Sequence, residues 1–222
     1  MHVRVKVCGI TSEGDLAAAV DAGVDALGFV LSPSPRRLSP ERYAELARRL
    51  PPYVASVAVF RHPPRDLLHA SLDAWQPDWI QMEAEQVAAI PEGVFHRWLP
   101  VLHDADALIE DCEALLGRFP SLRALHLEGP GRGGRGVGVD RSRARAVARR
   151  IPLVLAGGLR PDNVARAIED VRPIAVDVSS GVEKEPGVKC ARSMRDFVQN
   201  VREAGERIGE TEPMLKDARE DG

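Results

Sequence analysis

The sequence predicts a (β/α)8 barrel, an α/β fold in which eight parallel strands and eight helices form one compact domain. Two observations carry this prediction. Eight short runs rich in β-branched and aliphatic residues alternate with eight longer stretches of helical period over residues 3–202. Polar residues end several of the runs, where barrel strands open into a mouth. A doubly wound open sheet is the alternative, since the alternation alone fits both folds.

The predicted elements follow one another in order along the chain. Strands are expected at 3–8, 26–31, 55–60, 78–82, 95–101, 123–128, 153–156 and 174–178. Helices are expected at 13–22, 40–50, 65–75, 84–90, 105–117, 141–150, 161–169 and 188–203. Helix start signals are Ser12, Ser39 with Pro40, and Pro161 with Asp162. The barrel is expected to span residues 1–204, and the polar segment 205–222 to be a disordered tail.

The period of two along a strand places polar residues on the same predicted face. The residues that share a face are Arg4, Lys6 and Cys8 in the first strand, Ala124, His126 and Glu128 in the sixth, and Ala175, Asp177 and Ser179 in the eighth. Charged residues at the carboxyl end of such a face suit a barrel mouth, which favours the barrel over the open sheet.

Composition excludes several classes of function. The 222 residues include 30 Lys and Arg against 33 Asp and Glu, spread along the chain, so no nucleic-acid partner is expected. No apolar run approaches the ~18 residues of a membrane span, and the start MHVRVK does not resemble a signal peptide. Cys8, Cys112 and Cys190 lie far apart, which favours free thiols over disulfides or a metal site. We therefore expect a cytoplasmic protein without a membrane partner.

Cys8 is the first candidate for chemistry, because it ends the first strand two residues after Lys6. Its alternative is a buried cysteine that acts as a small hydrophobic residue. A neighbouring cation lowers the pKa of a thiol from about 8.5 towards neutrality. We therefore expect a lowered pKa for Cys8, as a base or nucleophile needs.

A phosphate site is expected after the seventh and eighth strands, where barrels of this type bind phosphate with backbone N–H groups. The candidate residues are Gly157, Gly158, Ser179, Ser180 and Gly181. Glycine allows the backbone to approach a ligand, and serine adds a hydroxyl donor. Ordinary turn glycines are the alternative interpretation.

Several segments resemble one known family. They are KVCGIT at 6–11, ALGFV at 26–30, SPR at 34–36, VAVF at 57–60, LAGGL at 155–159, PDNV at 161–164, VDVSSGVE at 176–183 and PGVK at 186–189. They resemble phosphoribosylanthranilate isomerase, the enzyme of the Amadori rearrangement in tryptophan biosynthesis. The resemblance implies a barrel without a cofactor that acts on a small phosphosugar as a monomer or homodimer.

The resemblance also implies residue roles. Cys8 matches the base that removes the C2′ proton, and Arg36 matches the group that binds the anthranilate carboxylate. Glu128 stands where the family has an aspartate as the general acid, and its side chain is one methylene longer than that aspartate. The alternative interpretation of Glu128 is a solvated glutamate at the edge of a loop. His126 is a rival candidate for the general acid. Asp177 is expected either to orient a sugar hydroxyl or to pair with Lys6.

The glycine-rich segment 129–134, GPGRGG, matches a dinucleotide-binding pattern, but no acidic residue follows about 20 positions later at a strand end. We interpret it as part of a mobile loop after the sixth strand.

The chain departs from the family at several mouth positions. Glu83 replaces a histidine, Arg135 a small hydroxyl residue and Cys190 an aspartate. These departures leave two alternatives to the isomerase open: a divergent paralogue that acts on another phosphosugar, and a non-catalytic barrel that binds one.

Overall fold

Eight parallel strands form a closed barrel in the computed structural model, which describes residues 1–131 and 138–220, with only the backbone for 92, 94 and 210–220. The strands are β1 (Arg4–Cys8), β2 (Ala26–Val30), β3 (Ala55–Val59), β4 (Trp79–Glu83), β5 (Trp98–His103), β6 (Leu125–Glu128), β7 (Leu153–Leu155) and β8 (Ala175–Val178). A short antiparallel pair, β9 (Glu183–Glu185) and β10 (Val188–Lys189), follows the barrel.

The barrel closes between its first and last strands. β1 pairs with β2 on one side and with β8 on the other, where Arg4 lies opposite Ala175 and Val7 opposite Val178. A doubly wound sheet has two open edges, so this pairing excludes that alternative and confirms the predicted fold.

A helical segment follows each barrel strand. The α-helices are α1 (Glu13–Ala22), α2 (Pro40–Ala47), α3 (Arg65–Ala74), α4 (Leu108–Arg118), α5 (Arg141–Ala148), α6 (Val164–Val171) and α7 (Ala191–Glu220). The hydroxyls of Ser12 and Ser39 accept hydrogen bonds from the third residue after each, so both predicted caps are present. By contrast, α6 begins three residues after Pro161 rather than at it.

The connection after β4 differs from the prediction. Ala84–Ala89 and Glu92–Arg97 are 3-10 helices, and β5 therefore begins at Trp98 rather than at residue 95. Ile90 is extended before Pro91, as expected for a residue that precedes proline, so an α-helix cannot continue through this segment.

Two further predictions concern the C-terminal segment and the loop after β6. Helix α7 continues as far as Glu220, through the segment from residue 205 where a disordered tail was expected. The division of the chain at residue 204 stays a prediction. The expected mobile loop at 133–136, with Arg135, lies outside the described residues.

The strand faces follow the predicted alternation. Val3, Val5 and Val7 are buried in the large core that includes the helices. Inside the barrel, a small apolar cluster closes the end opposite the mouth: Leu99, Ala124, Val154 and Ala175. Within the described residues, no helix is long and apolar enough to cross a membrane.

Candidate active site

One cavity at the carboxyl ends of the strands collects nine of the candidate residues. Its lining includes Cys8, Arg36, Glu128, Gly157, Gly158, Asp177, Ser179, Ser180 and Gly181. They come from five separate strand ends and their loops, so the barrel alone brings them together. Among the described residues, no group of three His, Cys, Asp or Glu side chains is placed to hold a metal ion.

Cys8 ends β1 and faces Gly28 of the neighbouring strand β2. A Cβ atom on Gly28 would lie 2.8 Å from Cys8 Sγ and 3.0 Å from Lys6 Nζ. These two atoms therefore occupy the space that a side chain at position 28 would take. The thiol and the ammonium group are neighbours because residue 28 has no side chain.

The expected lowering of the Cys8 pKa is wrong. Burial raises the pKa of the Cys8 thiol, and the cations of Lys6 and Lys189 offset only part of this effect. The sequence shows a cation two residues away, but it does not show how completely the barrel removes the thiol from water.

Lys6 and Asp177 form a buried ion pair beside this thiol. Lys6 Nζ lies 3.0 Å from Asp177 Oδ2, and the side chains are only 5% and 6% exposed. Burial raises the pKa of Asp177, but Lys6 and His126 together hold it below its usual value. The predicted pairing of Asp177 with Lys6 is present, and Asp177 also lines the cavity.

His126 lies beneath the cavity rather than in it. It is fully buried, and its Nε2 lies 3.0 Å from Asp177 Oδ2. It is absent from the cavity lining, so it is not placed to donate a proton to a bound substrate as the rival acid would. We refer to Lys6, Cys8, His126 and Asp177 as the inner cluster.

Arg36 is held by a carboxylate that the sequence analysis did not assign. Its Nε and Nη2 donate to the two carboxylate oxygens of Glu183 at 2.7 Å each, a bidentate pair. Gly9, with a φ of +81°, makes room for the Arg36 side chain, which would collide with a Cβ there. The pair leaves Nη1 for another acceptor.

Lys189 joins the end of β1, the residue after β8 and the start of β9. Its buried Nζ donates to the Cys8 carbonyl oxygen at 2.6 Å and to Glu183 Oε1 at 2.8 Å. Another contact, at 3.3 Å, joins Nζ to the carbonyl oxygen of Ser179. Lys189 thereby holds the backbone of Cys8 and of Ser179 together.

Glu128 ends β6 on the other side of the cavity, where further ionic groups lie close to it. Arg61 Nη2 lies 3.9 Å from Glu128 Oε2, and Arg61 Nε lies 3.3 Å from Glu83 Oε1. His103 Nε2 lies 2.9 Å from the other oxygen of Glu83. We refer to Arg61, Glu83 and His103 as the outer cluster.

The expected phosphate loops touch each other. Gly157 and Gly158 follow β7 with φ of +85° and +64°, and Gly181 packs so closely on the Leu159 carbonyl group that no Cβ would fit. Asn163 supports this loop, donating to the Gly158 carbonyl oxygen at 2.9 Å. The loops therefore form one continuous part of the cavity wall.

Arg61, His103, Glu183 and Lys189 are the site residues that sequence reasoning missed. Arg61 directly follows the predicted third strand, and His103 lies just beyond the fifth, so their position at strand ends was an available signal. Cys190, in contrast, is outside the cavity lining. It precedes α7, and hydrogen bonds from Ser193 lower its pKa, as for a residue that caps a helix.

Comparisons with known proteins place this geometry in a family. The family model described as N-(5′-phosphoribosyl)anthranilate (PRA) isomerase matches residues 5–200. The chain is 42% identical over 203 residues to N-(5′-phosphoribosyl)anthranilate isomerase of Pseudomonas aeruginosa strain UCBPP-PA14, covering 90% of this chain and 95% of that one.

Similar solved structures belong to the same family. A phosphoribosylanthranilate isomerase of Thermotoga maritima, named as dimeric and solved as monomers, has a TM-score of 0.75 and 33% identity, covering 90% of this chain and 98% of that one. Another such isomerase, in complex with reduced 1-(o-carboxyphenylamino)-1-deoxyribulose 5-phosphate, has a TM-score of 0.73 and 34% identity, with the same coverage.

Proposed function

This chain belongs to the N-(5′-phosphoribosyl)anthranilate isomerase family, and we propose how its residues divide the work of that reaction. The enzyme converts N-(5-phosphoribosyl)anthranilate into 1-(2-carboxyphenylamino)-1-deoxyribulose 5-phosphate in tryptophan biosynthesis. The observation that carries the division is the convergence of Cys8, Glu128 and Arg36 on one cavity, with Lys6 beside the thiol.

Glu128 acts first, as the general acid. It donates a proton to the ring oxygen of the ribose; the C1′–O bond breaks, and the nitrogen lone pair forms a protonated Schiff base with C1′. Arg61, 3.9 Å from Glu128 Oε2, stabilises the carboxylate that remains. The longer side chain of glutamate reaches into the cavity from the strand end where the family carries aspartate.

Cys8 acts next, as the general base. Its thiolate takes the C2′ proton, the C2′–H electron pair forms a C1′=C2′ double bond, and the C=N pair returns to nitrogen to give an enolamine. The enolamine then loses the 2′-hydroxyl proton and gains a proton at C1′ to become the ketone. Since burial raises the pKa of Cys8, the thiolate depends on the Lys6 cation and on the positive charge of the Schiff base.

The two ends of the substrate bind on opposite sides of this centre. The free Nη1 edge of Arg36 faces the anthranilate carboxylate, with Glu183 fixing the guanidinium plane. Gly157, Gly158, Ser179, Ser180 and Gly181 surround the phosphate. Asp177 lines the same cavity and orients a sugar hydroxyl. Every step is a proton transfer, so the proposal needs no cofactor. We place the enzyme in the cytoplasm, as a monomer or homodimer.

The test is turnover of N-(5-phosphoribosyl)anthranilate by the purified chain and its variants. We expect Cys8→Ser and Glu128→Gln to lose about 10²–10⁴-fold in kcat, because each removes one proton-transfer group. Glu128→Asp, which restores the family residue, should remain active. Cys190→Ser is the matched control, since this cysteine lies outside the cavity lining.

Several outcomes would overturn the proposal. Undiminished turnover by Cys8→Ser or Glu128→Gln would move the base or the acid elsewhere. A parent chain that binds the substrate without turnover would be a non-catalytic barrel, and one that turns over only another phosphosugar would be a divergent paralogue. The corresponding test in cells is complementation: an isomerase-deficient tryptophan auxotroph should grow when it expresses the parent chain and not when it expresses Cys8→Ser.

A further inference from the structure

A layer of polar side chains crosses the barrel interior at the bottom of the cavity, where Gln81 and Asp177 belong to the lining and His126 lies beneath it. Gln81, His126 and Asp177 lie on β4, β6 and β8, the alternate strands that contribute to one interior layer of such a barrel. Among the described residues, each has a buried atom without a hydrogen-bond partner: Oε1, Nδ1 and Oδ1 respectively. Unsatisfied buried polar atoms cost stability, so their presence calls for a functional reason.

Within the described residues, the His126 imidazole forms one hydrogen bond, to Asp177. Asp177 Oδ2 lies 3.0 Å from His126 Nε2 and 3.0 Å from Lys6 Nζ, so one oxygen has two partners. The surroundings keep the Asp177 pKa low, and an ionised carboxylate only accepts hydrogen bonds. Nε2 therefore carries the hydrogen and donates it.

Lys6 lies between two anions during the reaction. One is the Asp177 carboxylate, and the other is the Cys8 thiolate, which shares with Lys6 the space above Gly28. A carboxylate without a second donor would bind the ammonium group more strongly and draw it away from the sulfur. The His126 donor weakens this competition, because part of the charge on Oδ2 is already satisfied.

We propose that His126 is a positioning residue: its Nε2–H holds Asp177 Oδ2 so that the Lys6 ammonium group remains available to the Cys8 thiolate. This inference rests on the proposed role of Cys8 as the base. His126 touches no substrate and acts through Asp177 and Lys6.

Several charged groups lie near the thiol. They come from five elements or loops around Cys8: Lys6 on β1, Arg36 after β2, Glu128 on β6, Asp177 on β8 and Lys189 on β10. Of these, Asp177 alone forms a hydrogen bond with His126. A change in the titration of Cys8 on substitution of His126 is therefore transmitted through Asp177.

The experiment measures the rate at which iodoacetamide alkylates Cys8 as a function of pH, with the Cys8 peptide quantified by mass spectrometry. The thiolate is the reacting form, so the midpoint of the profile is the pKa of Cys8. We expect His126→Leu to move the midpoint about one unit higher, which is about tenfold slower alkylation at neutral pH. His126→Gln, whose amide nitrogen can take the place of Nε2, should alkylate within about twofold of the parent.

A second pair of variants guards against loss of folding by the leucine variant. His126→Asn also carries an amide, but the shorter side chain places the amide nitrogen near the position of the histidine Nδ1. From there it does not reach Asp177, so this variant should behave like His126→Leu. His69→Gln, on the exposed surface of α3, is the control and should leave the profile unchanged. The acid limb of kcat/KM against pH should shift upward in His126→Leu and His126→Asn alone.

The inference fails if folded His126→Leu or His126→Asn alkylates with the parent profile, or if His126→Gln shifts as much as they do. It fails separately from the proposed function, since alkylation reports the thiolate whether or not Cys8 is the base. Full turnover by Cys8→Ser, with the His126 shifts present, would overturn only the role of Cys8.

Discussion

The inner and outer clusters contain similar ionic pairs in different surroundings. In the inner cluster, Lys6 and His126 each lie 3.0 Å from Asp177, and the three side chains are at most 6% exposed. In the outer cluster, His103 and Arg61 lie 2.9 and 3.3 Å from Glu83, but they are 28% and 37% exposed. The distances are alike, so burial rather than distance decides how much each ion pair contributes to stability and to the pKa values of nearby groups.

The largest difference is expected when one carboxylate of each cluster is neutralised. Asp177→Asn leaves the buried Lys6 ammonium group without its counter-charge and should lower the free energy of unfolding by about 3–5 kcal/mol. Glu83→Gln, the matched change in the outer cluster, should cost about 1 kcal/mol or less, because water reaches its partners. Urea unfolding at neutral pH measures both. Equal losses in the free energy of unfolding would show that burial does not account for a difference between the two clusters.

A smaller effect is expected from filling the space that the inner cluster needs. Gly28→Ala places a methyl group 2.8 Å from Cys8 Sγ and 3.0 Å from Lys6 Nζ, which should cost about 1–3 kcal/mol of stability. Turnover should fall by about a hundredfold, since the thiol must move by a distance that matters for proton transfer.

The control for this change is Gly117→Ala in α4, where a Cβ meets no atom within 4 Å. It should leave turnover unchanged and raise stability by about 0.5–1 kcal/mol through helix propensity. A Gly28→Ala variant with the turnover of the parent would mean that Cys8 and Lys6 need not share this space.

The smallest expected effect is a pH-dependent one in the outer cluster. Glu83 raises the pKa of His103, and His103 and Arg61, against the effect of burial, lower the pKa of Glu83. The His103 contribution is present below its unfolded pKa of about 6.5 and is lost as pH rises through the higher folded value. The Glu83 contribution is present above about 4.3 and is lost as pH falls through the lower folded value.

Removing the imidazole should therefore matter most between these limits. His103→Gln should lower the free energy of unfolding by about 1 kcal/mol or less near pH 5.5, and by less at pH 8.5. Urea unfolding of parent and variant at the two pH values gives the difference. A loss that is the same at both values would contradict an ionic role for His103.

Much of the fold could be predicted because its signals are local. The α1 helix has its predicted bounds, Glu13–Ala22, since a serine cap and a glycine stop lie next to it in the chain. The connection after β4 could not be predicted as well, because a short Ala-rich segment before Pro91 supports either an α-helix or a 3-10 helix until the neighbouring strands set its length.

The candidate site divides in the same way. Alternation along β6 correctly placed His126 and Glu128 on one face, yet one lies under the cavity and the other in its wall. Alternation gives the face of a residue but not its depth, which depends on the tilt and stagger of the strands. For this reason His126 was expected to be a rival acid.

The sequence by itself determined the order of strands and helices, the inward faces of the first, sixth and eighth strands, and nine of the residues that meet at the barrel mouth. The tertiary structure alone decided that burial raises the pKa of Cys8, that Asp177 joins Lys6 to His126, and that Glu183 holds Arg36. The reason is physical. Helix caps and strand periods depend on residues a few positions apart, whereas desolvation and ion pairing depend on strands brought together from opposite ends of the chain.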